Sequence, residues 1–296
     1  MEENDPFTPY VVQEGRSSYP LGRVDLLDPL SLTPWPGRWF LNPSRELSLQ
    51  EALFFDLETV LLPPPFGTVP FLYGFGFYEG STFKVLQFFL QEPERERELL
   101  EEIGSFLEFM KERGKLSLVT FNGRRFDEPL LQERRALQGF ADPLPEFLSL
   151  DLYPVCRKVF RYASETFRLA ILAERFLGHS RDEEPSFRGE ITPRYRRFLI
   201  DGDETWIEPI REHNRWDVLD TMALSLWILQ RGLEPQRVTN PDIALGMGGF
   251  FAERHKKAEA FLSLRRAAEL FEEEGVNGGN EEKLSVLGKH LKRIES

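Results

Sequence analysis

A chain of 296 residues, 41% hydrophobic and 29% charged, can bury one large core, or a core and a smaller module, and has the composition of an ordinary globular protein. Its formal charge of -12 argues against a protein that coats nucleic acid nonspecifically, while leaving room for an enzyme that grips a strand in one local groove. Cys156 is the only cysteine, so no intrachain disulfide is expected; a reducing, cytoplasmic setting is the default, with neither a signal peptide nor a run of ~18 apolar residues to suggest export or a membrane span.

Residues 1–48 contain Pro20, Pro29, Pro34, Pro36 and Pro43, which interrupt any long element. Leu26, Leu27, Trp35, Trp39 and Phe40 are too apolar for a free tail, so this stretch is expected to be an extension packed on the core or covering a groove. Residues 52–59, ALFFDLET, alternate so that Asp56 and Glu58 share one face with Phe54 while Leu53, Phe55 and Leu57 share the other. Such a nearly continuous apolar run predicts a strand buried on both sides, in the middle of a mixed or parallel sheet. Two acids on one face of that strand are costly to bury unless a cation neutralises them, and a hard divalent metal suits carboxylate oxygen. An acidic strand end running into solvent is the plain alternative.

LLPPPFGTVP predicts a loop, and FLYGFGFYEG with TFKVLQFFL predicts two strands turning at residues 79–81. Gly74 and Gly76 fall on one side of the first strand, where close approach of another group, or simply a twist or bulge, accounts for them. Residues 93–110 predict a helix with Leu99, Leu100, Ile103, Phe106, Leu107 and Met110 inward and its glutamates in solvent. LSLVTFNG predicts the next core strand, and a helix over 125–138 packs through Phe126, Leu130, Leu131 and Leu137. Asp127 thus stands where a strand gives way to a helix, either as a favourable first-turn charge or as a ligand at the carboxyl edge of the sheet.

Residues 147–152 predict a short strand carrying Asp151, and helices over 155–160 and 166–177 follow, the second stopped by Gly178. Residues 179–192 read as polar loop. Pro193 opens a short helix bearing Arg194, Arg196 and Arg197, which with Arg181 and Arg188 form the best local candidate for phosphate contact, or else a solvated positive face. Residues 208–229 predict the strongest helix, with His213, Asp217 and Asp220 on one face and Trp216, Leu219, Ala223, Leu226 and Trp227 on the packed side. Residues 232–249 read as linker. A helical hairpin over residues 250–296 is expected beyond it, vaguely similar to a tetratricopeptide repeat, with two helices packed on the main domain as the alternative.

Three separated signals, DLE at 56–58, NGRRFD ending at 127 and HNRWD ending at 217, resemble the signature of the DEDD exonucleases of the ribonuclease-H-like superfamily. That signature is a DxE strand, an NxxxFD at a helix start, and a YxxxD or HxxxxD on a later helix. The stretch from Pro185 through RRFLIDGDETWIEPIREHNRWDVLDTMAL is closer still to the YprB-like ribonuclease-H-like domain family, related to the proofreading domains of B-family polymerases. The resemblance covers about residues 50–231. It implies an α/β fold, a ribonuclease-H-like mixed central sheet flanked by helices over residues 49–232, with a small C-terminal helical extension.

The resemblance also implies four metal-binding carboxylates, Asp56, Glu58, Asp127 and Asp217, holding two divalent ions, Mg2+ or Mn2+, and 3'-to-5' exonuclease action on single-stranded DNA or RNA. Two such ions can activate a water and receive the charge of the leaving oxygen. His213 stands four residues before Asp217, where the tyrosine-bearing branch of the family has its Tyr, whereas the histidine-bearing branch places its His five residues before. It is the candidate to orient or deprotonate that water. Asn122 resembles the motif asparagine that bonds near the scissile nucleotide, with capping of the following helix as the alternative. Asp151 and Asp220 are expected to be structural, and Phe126 and Trp216 to belong to the core. From the residues alone the chemistry extends to metal-assisted phosphodiester hydrolysis. The rival readings are a noncatalytic nucleic-acid-binding or adaptor protein, with partners on its C-terminal helices, and a phosphatase or nucleotide hydrolase.

Overall fold

Alternation along one strand organises the architecture. The computed structural model describes residues 49–80, 82–181, 189–274 and 281–295, so the expected N-terminal extension and Arg188 lie outside the described residues. Strands β1 (Ala52–Leu62), β2 (Gly67–Glu79), β3 (Thr82–Phe89), β4 (Ser117–Thr120) and β5 (Leu148–Asp151) form one sheet in the order β3-β2-β1-β4-β5. β1 pairs antiparallel with β2 and parallel with β4, and β4 pairs parallel with β5. The sheet is therefore mixed, with β1 at its centre. Phe54 buries in one cluster with Val218 and Met222, whereas Leu53 and Phe55 bury on the other side with Leu100, Ile103 and Phe106 of helix α1 (Glu96–Glu112). A strand apolar on only one face would leave one of these two layers without a floor.

Several elements differ from their sequence expectation, each for a local reason. LLPPPFGTVP is mostly strand: β1 runs on to Leu62 and β2 begins at Gly67, because Val60, Leu62 and Val69 are buried and continue the ladder. Pairing slips between Glu58 and Thr59, with Pro70, which has no N–H to donate, opposite Thr59. Helix α2 (Asp127–Leu137) turns Leu131, Arg134 and Arg135 inward and leaves Phe126 and Leu137 63% and 65% exposed, so neither belongs to the core. What anchors α2 is an ion pair rather than an apolar stripe. Arg134 Nε donates to Glu96 Oε1 at 2.6 Å, both side chains being buried, so the α1 glutamates are not uniformly a solvated face.

Helices α3 (Tyr153–Val159) and α4 (Leu169–Leu172) follow, and α4 widens into a π turn (Ala173–Leu177) that ends, as its glycine suggested, at Gly178 with φ 77°. Then come α5 (Ile191–Asp201) and α6 (Glu208–Leu233). The largest departure is next: the linker-like stretch contains a buried helix, α7 (Pro241–Glu253), started by Asn240, whose side chain accepts the Ile243 N–H at 3.1 Å. Its glycines looked like breakers but serve contact, since a Cβ at Gly246 would stand 2.1 Å from the Val159 carbonyl oxygen of α3. Each helical glycine costs about 1 kcal/mol against alanine, which the close approach of the two helices offsets. Phe250 and Phe251 close α7 instead of opening α8 (Lys257–Glu274), which is followed by α9 (Glu281–Glu295). Leu245, Phe251, Leu264 and Leu270 share one buried cluster with Phe54 and Trp227, so these helices are continuous with the sheet's own core. Among the described residues, no helix is long and apolar enough to cross a membrane.

Candidate active site

Asp56 lies two residues beyond Phe54, the last β1 residue paired with β4, and pairs with Gly74 of β2 on the other side. Its carboxyl thus emerges at the carboxyl edge of the parallel part of the sheet, where open α/β sheets place their sites. Burial pushes that carboxyl well above the usual carboxylate range, and the charges of Asp217, Asp127 and Glu58, in that order, push it further. The four acids therefore come together closely enough to oppose Asp56's ionisation. Asp127, at the first turn of α2, is pushed up to about 7, chiefly by burial, although its own N–H and that of Leu57 hydrogen-bond its carboxylate and oppose the rise. The Leu57 contact ties the start of α2 to β1, one residue from each of the two β1 acids.

Helix α6 supplies the other side. Its 3.6-residue period brings His213 and Asp217 to one face, and His213 Nε2 stands 3.6 Å from Glu58 Oε1 and 3.7 Å from Asp217 Oδ2. Both separations are just beyond direct hydrogen-bonding reach.

Two groups of residues support the acids in roles the sequence reading did not assign, Arg181 among them, which that reading grouped with the phosphate-contact arginines. Asn214, fully buried, donates from Nδ2 to Asp56 Oδ2 at 2.8 Å and accepts at Oδ1 from Gln87 Nε2, also at 2.8 Å. Gln87 Nε2 only donates, and it also donates to the Arg211 carbonyl at 2.8 Å, so it holds Asn214 Oδ1 toward itself and leaves Nδ2 toward Asp56. Gly74 makes the room: a Cβ there would be 2.2 Å from Asn214 Oδ1. The available signal was the pairing of a glycine strand with the acidic one, although nothing in the sequence said what would approach it.

The second group comes from the supposed polar loop. His179 and Arg181 are buried in it: His179 Nδ1 is 2.8 Å from Asp220 Oδ1, Arg181 Nε donates to Asp220 Oδ2 at 3.0 Å, and Arg181 Nη2 reaches Asp217 Oδ1 at 2.7 Å. The His179 ring packs 4.4 Å from that of Trp216, which is packed against the core as expected. Asp220 is thus an internal anchor, and Arg181 stands on the last acid of the site, apart from the arginines of α5.

Those arginines are engaged elsewhere. Arg194 pairs with Glu190 at 3.3 Å, Arg196 Nη2 donates to the Leu61 carbonyl at 2.9 Å, and Arg197 lies 3.4 Å from Asp201. Their helix inserts Tyr195 and Phe198 into the α1-side cluster, the face of the sheet opposite Phe54. Asn122 takes a left-handed φ of 71° and donates its N–H to Asp151 Oδ1 at 2.8 Å, and Asp151 also accepts the Tyr153 N–H at 3.0 Å. Asp151 therefore shapes this loop. No side chain caps the start of α2, so Asn122 is not its cap; it lines an adjoining groove instead.

The donor set, four hard carboxylates with mutual repulsion and a supporting pair of amides, Asn214 buried and Gln87 partly so, fits a divalent cation in its chemistry. Their positions are not yet those of ligands around one point: among the described residues, no group of three or more His, Cys, Asp or Glu is placed to hold an ion. Asp217 is engaged on both oxygens: Oδ1 is held by Arg181, and Oδ2 faces His213.

A mixed sheet in this strand order, with helices on both faces, defines a ribonuclease-H-like α/β protein, and the chain belongs to the RNase_H superfamily, whose family model matches residues 53–229. Its sequence is similar to that of YprB of Bacillus subtilis (strain 168), with 27% identity over 245 residues that cover 82% of this chain and 57% of YprB. The chain therefore spans little more than half of that relative's length. Among solved structures it is similar to the family B DNA polymerase of the hyperthermophilic archaeon Pyrobaculum calidifontis, at 18% identity and a TM-score of 0.45, covering 71% of this chain and 29% of the polymerase.

Proposed function

We propose that this protein is a divalent-metal-dependent nuclease that hydrolyses phosphodiester bonds, acting in the cytoplasm as a 3'-to-5' exonuclease on single-stranded nucleic acid. The observation that carries this reading is the crowding of Asp217, Asp127 and Glu58 on a buried Asp56 at the carboxyl edge of an RNase_H-superfamily sheet. Nothing structural is gained by such repulsion, whereas a cation would convert it to attraction. Asp56, Glu58, Asp127 and Asp217 would hold the ions, two of Mg2+ or Mn2+, which supply polarisation of the phosphate and stabilisation of the leaving oxygen.

The chain's own residues do the rest. Asn214 holds the Asp56 carboxylate in one orientation, as supporting hydrogen bonds do for metal ligands. Arg181 does the same for Asp217. His213 Nε2, between Glu58 and Asp217, is the group suited to take a proton from the attacking water near neutral pH. Phe126, exposed beside Asp127, offers a ring face to a terminal base. The exonucleolytic preference and its direction rest on the family resemblance.

End-labelled single-stranded DNA and RNA test the reading. Mononucleotide release is expected with Mg2+ or Mn2+ and should be abolished in Asp56→Ala. No cleavage of either polymer with either metal would overturn it in favour of a noncatalytic binding role.

A further inference from the structure

In a chain of net charge -12, many arginines are held against acids: Arg95 on Glu98, Arg113 on Glu79, Arg194 on Glu190, Arg215 on Glu212. One groove, of about 1400 Å³, breaks that pattern with seven Arg and Lys side chains against three acids in its lining. Arg124, Arg125, Arg157 and Arg161 are exposed along it, and among the described residues none of the four has an ion-pair partner. Arg124 is near enough only for its charge to favour ionisation of Glu128.

The three acids leave the cations in excess, and one of them, Glu165, is exposed without a charged partner among the described residues. Asp151 is engaged by two backbone N–H groups, and Glu253 is paired with Lys158. Flat rings alternate with the free cations: Arg157 lies 5.9 Å from the centroid of Tyr153, and Arg161 lies 5.7 Å from that of Tyr162. The groove also adjoins the acids, because Asn122 and Asp151 line it and the charge of Asp151 acts on Asp127.

We propose that this groove is the path by which a single strand of nucleic acid enters the carboxylate site, with Arg124, Arg125, Arg157 and Arg161 on its phosphates and Tyr153 and Tyr162 against its bases. Unpaired guanidinium groups interleaved with half-buried rings match a polymer of phosphates and flat bases. An acidic peptide would use the charges and leave the rings idle. Placing the cut at one end of the groove rests on the nuclease reading; the binding itself does not.

Fluorescent oligothymidylates of about 20 and about 4 nucleotides, the longer beyond and the shorter at the low end of single-strand site sizes of about 4–16 nucleotides, test it in the full chain. Binding is measured with chelator present and cleavage with Mg2+ or Mn2+. In the double variant Arg157→Glu/Arg161→Glu, the long strand should bind at least about tenfold more weakly, and the slope of log affinity against log salt should fall by about 1.4 as two phosphate contacts are lost. Cleavage of the short strand, which reaches fewer of the four arginines, should fall less than cleavage of the long one. Arg265→Glu, a charge reversal on α8 away from the groove, should leave binding as it is.

Unchanged long-strand binding in the double variant overturns the proposal. So does an equal loss in Arg265→Glu, no binding by the natural chain, or competition by polyglutamate as effective as by unlabelled oligothymidylate. If the natural chain binds the long strand through these arginines yet cuts nothing, the groove stands and the nuclease reading falls.

Discussion

Asp56 is the residue on which repulsion converges, and the cost of that arrangement is measurable. Asp56→Asn removes one charge from the cluster while its side-chain oxygen still accepts from Asn214. The variant should lose metal-dependent cleavage and gain stability in chelator; if the relief is worth about 1 kcal/mol, the melting temperature rises by about 2–4 °C. A fall in melting temperature would mean that the cluster contributes to the fold.

Asp127 makes the same cost depend on pH. Its carboxyl is raised in the folded state from an ordinary 3.8 to about 7, chiefly by burial. A raised folded value means that the folded state binds the proton more tightly, so the associated stability is full below pH 3.8 and is lost as pH rises through about 7. Denaturation midpoints in chelator should accordingly fall across that window, and Asp127→Asn should flatten the fall. An Asp127→Asn profile parallel to that of the natural chain would refute the assignment to this residue.

At the scale of elements, the site depends on how closely α6 lies on the sheet. Gly74 opposite Asp56 lets Asn214 sink against β2, and Gln87 of β3 holds it there. Gly74→Ala places a Cβ 2.2 Å from Asn214 Oδ1, so α6 must lift or Asn214 must leave. Overpacking of this kind costs about 1–3 kcal/mol, and Asp56 loses its hydrogen bond, for which a drop in metal affinity of about 10–100-fold is expected. Calorimetric titration with Mn2+ and a denaturant curve separate the two effects; wild-type affinity in the variant would refute this account of Gly74.

The alternation of residues 52–59 and the period of α6 were legible because each is a local repeat. The partners were not. Gln87, Asn214 and Gly74 meet only after two strands and a helix have packed, and His179 with Arg181 looked like loop because their acids, Asp217 and Asp220, lie on another element. The glycines of α7 misled for a related reason: local propensity counts a glycine as a breaker, while the fold uses Gly246 as a point of contact with α3.

For the whole molecule, the C-terminal helices complete the main core. Val238, Leu245, Phe251, Leu264 and Leu270 are buried in the same cluster as Phe54, Leu224 and Trp227. Truncation after Leu233 would expose the packed length of α6, and at about 1.5–3 kcal/mol for each large apolar side chain left uncovered the loss exceeds the usual 5–15 kcal/mol of total stability. The truncated chain should show no cooperative thermal transition. A sharp melt near that of the full chain would establish two independent units.

By itself the sequence determined the central strand with its two acids and the helix with His213 and Asp217, since each is encoded by neighbours within a few residues, and the order of three such short motifs carried the resemblance to the superfamily. Only the tertiary structure decided what those acids face. The crowding on Asp56, the amide that orients it, the guanidinium on Asp217 and the choice of which arginines remain unpaired all depend on contacts between distant segments. Charge and hydrogen bonding act through space, and a sequence orders its groups only along the chain.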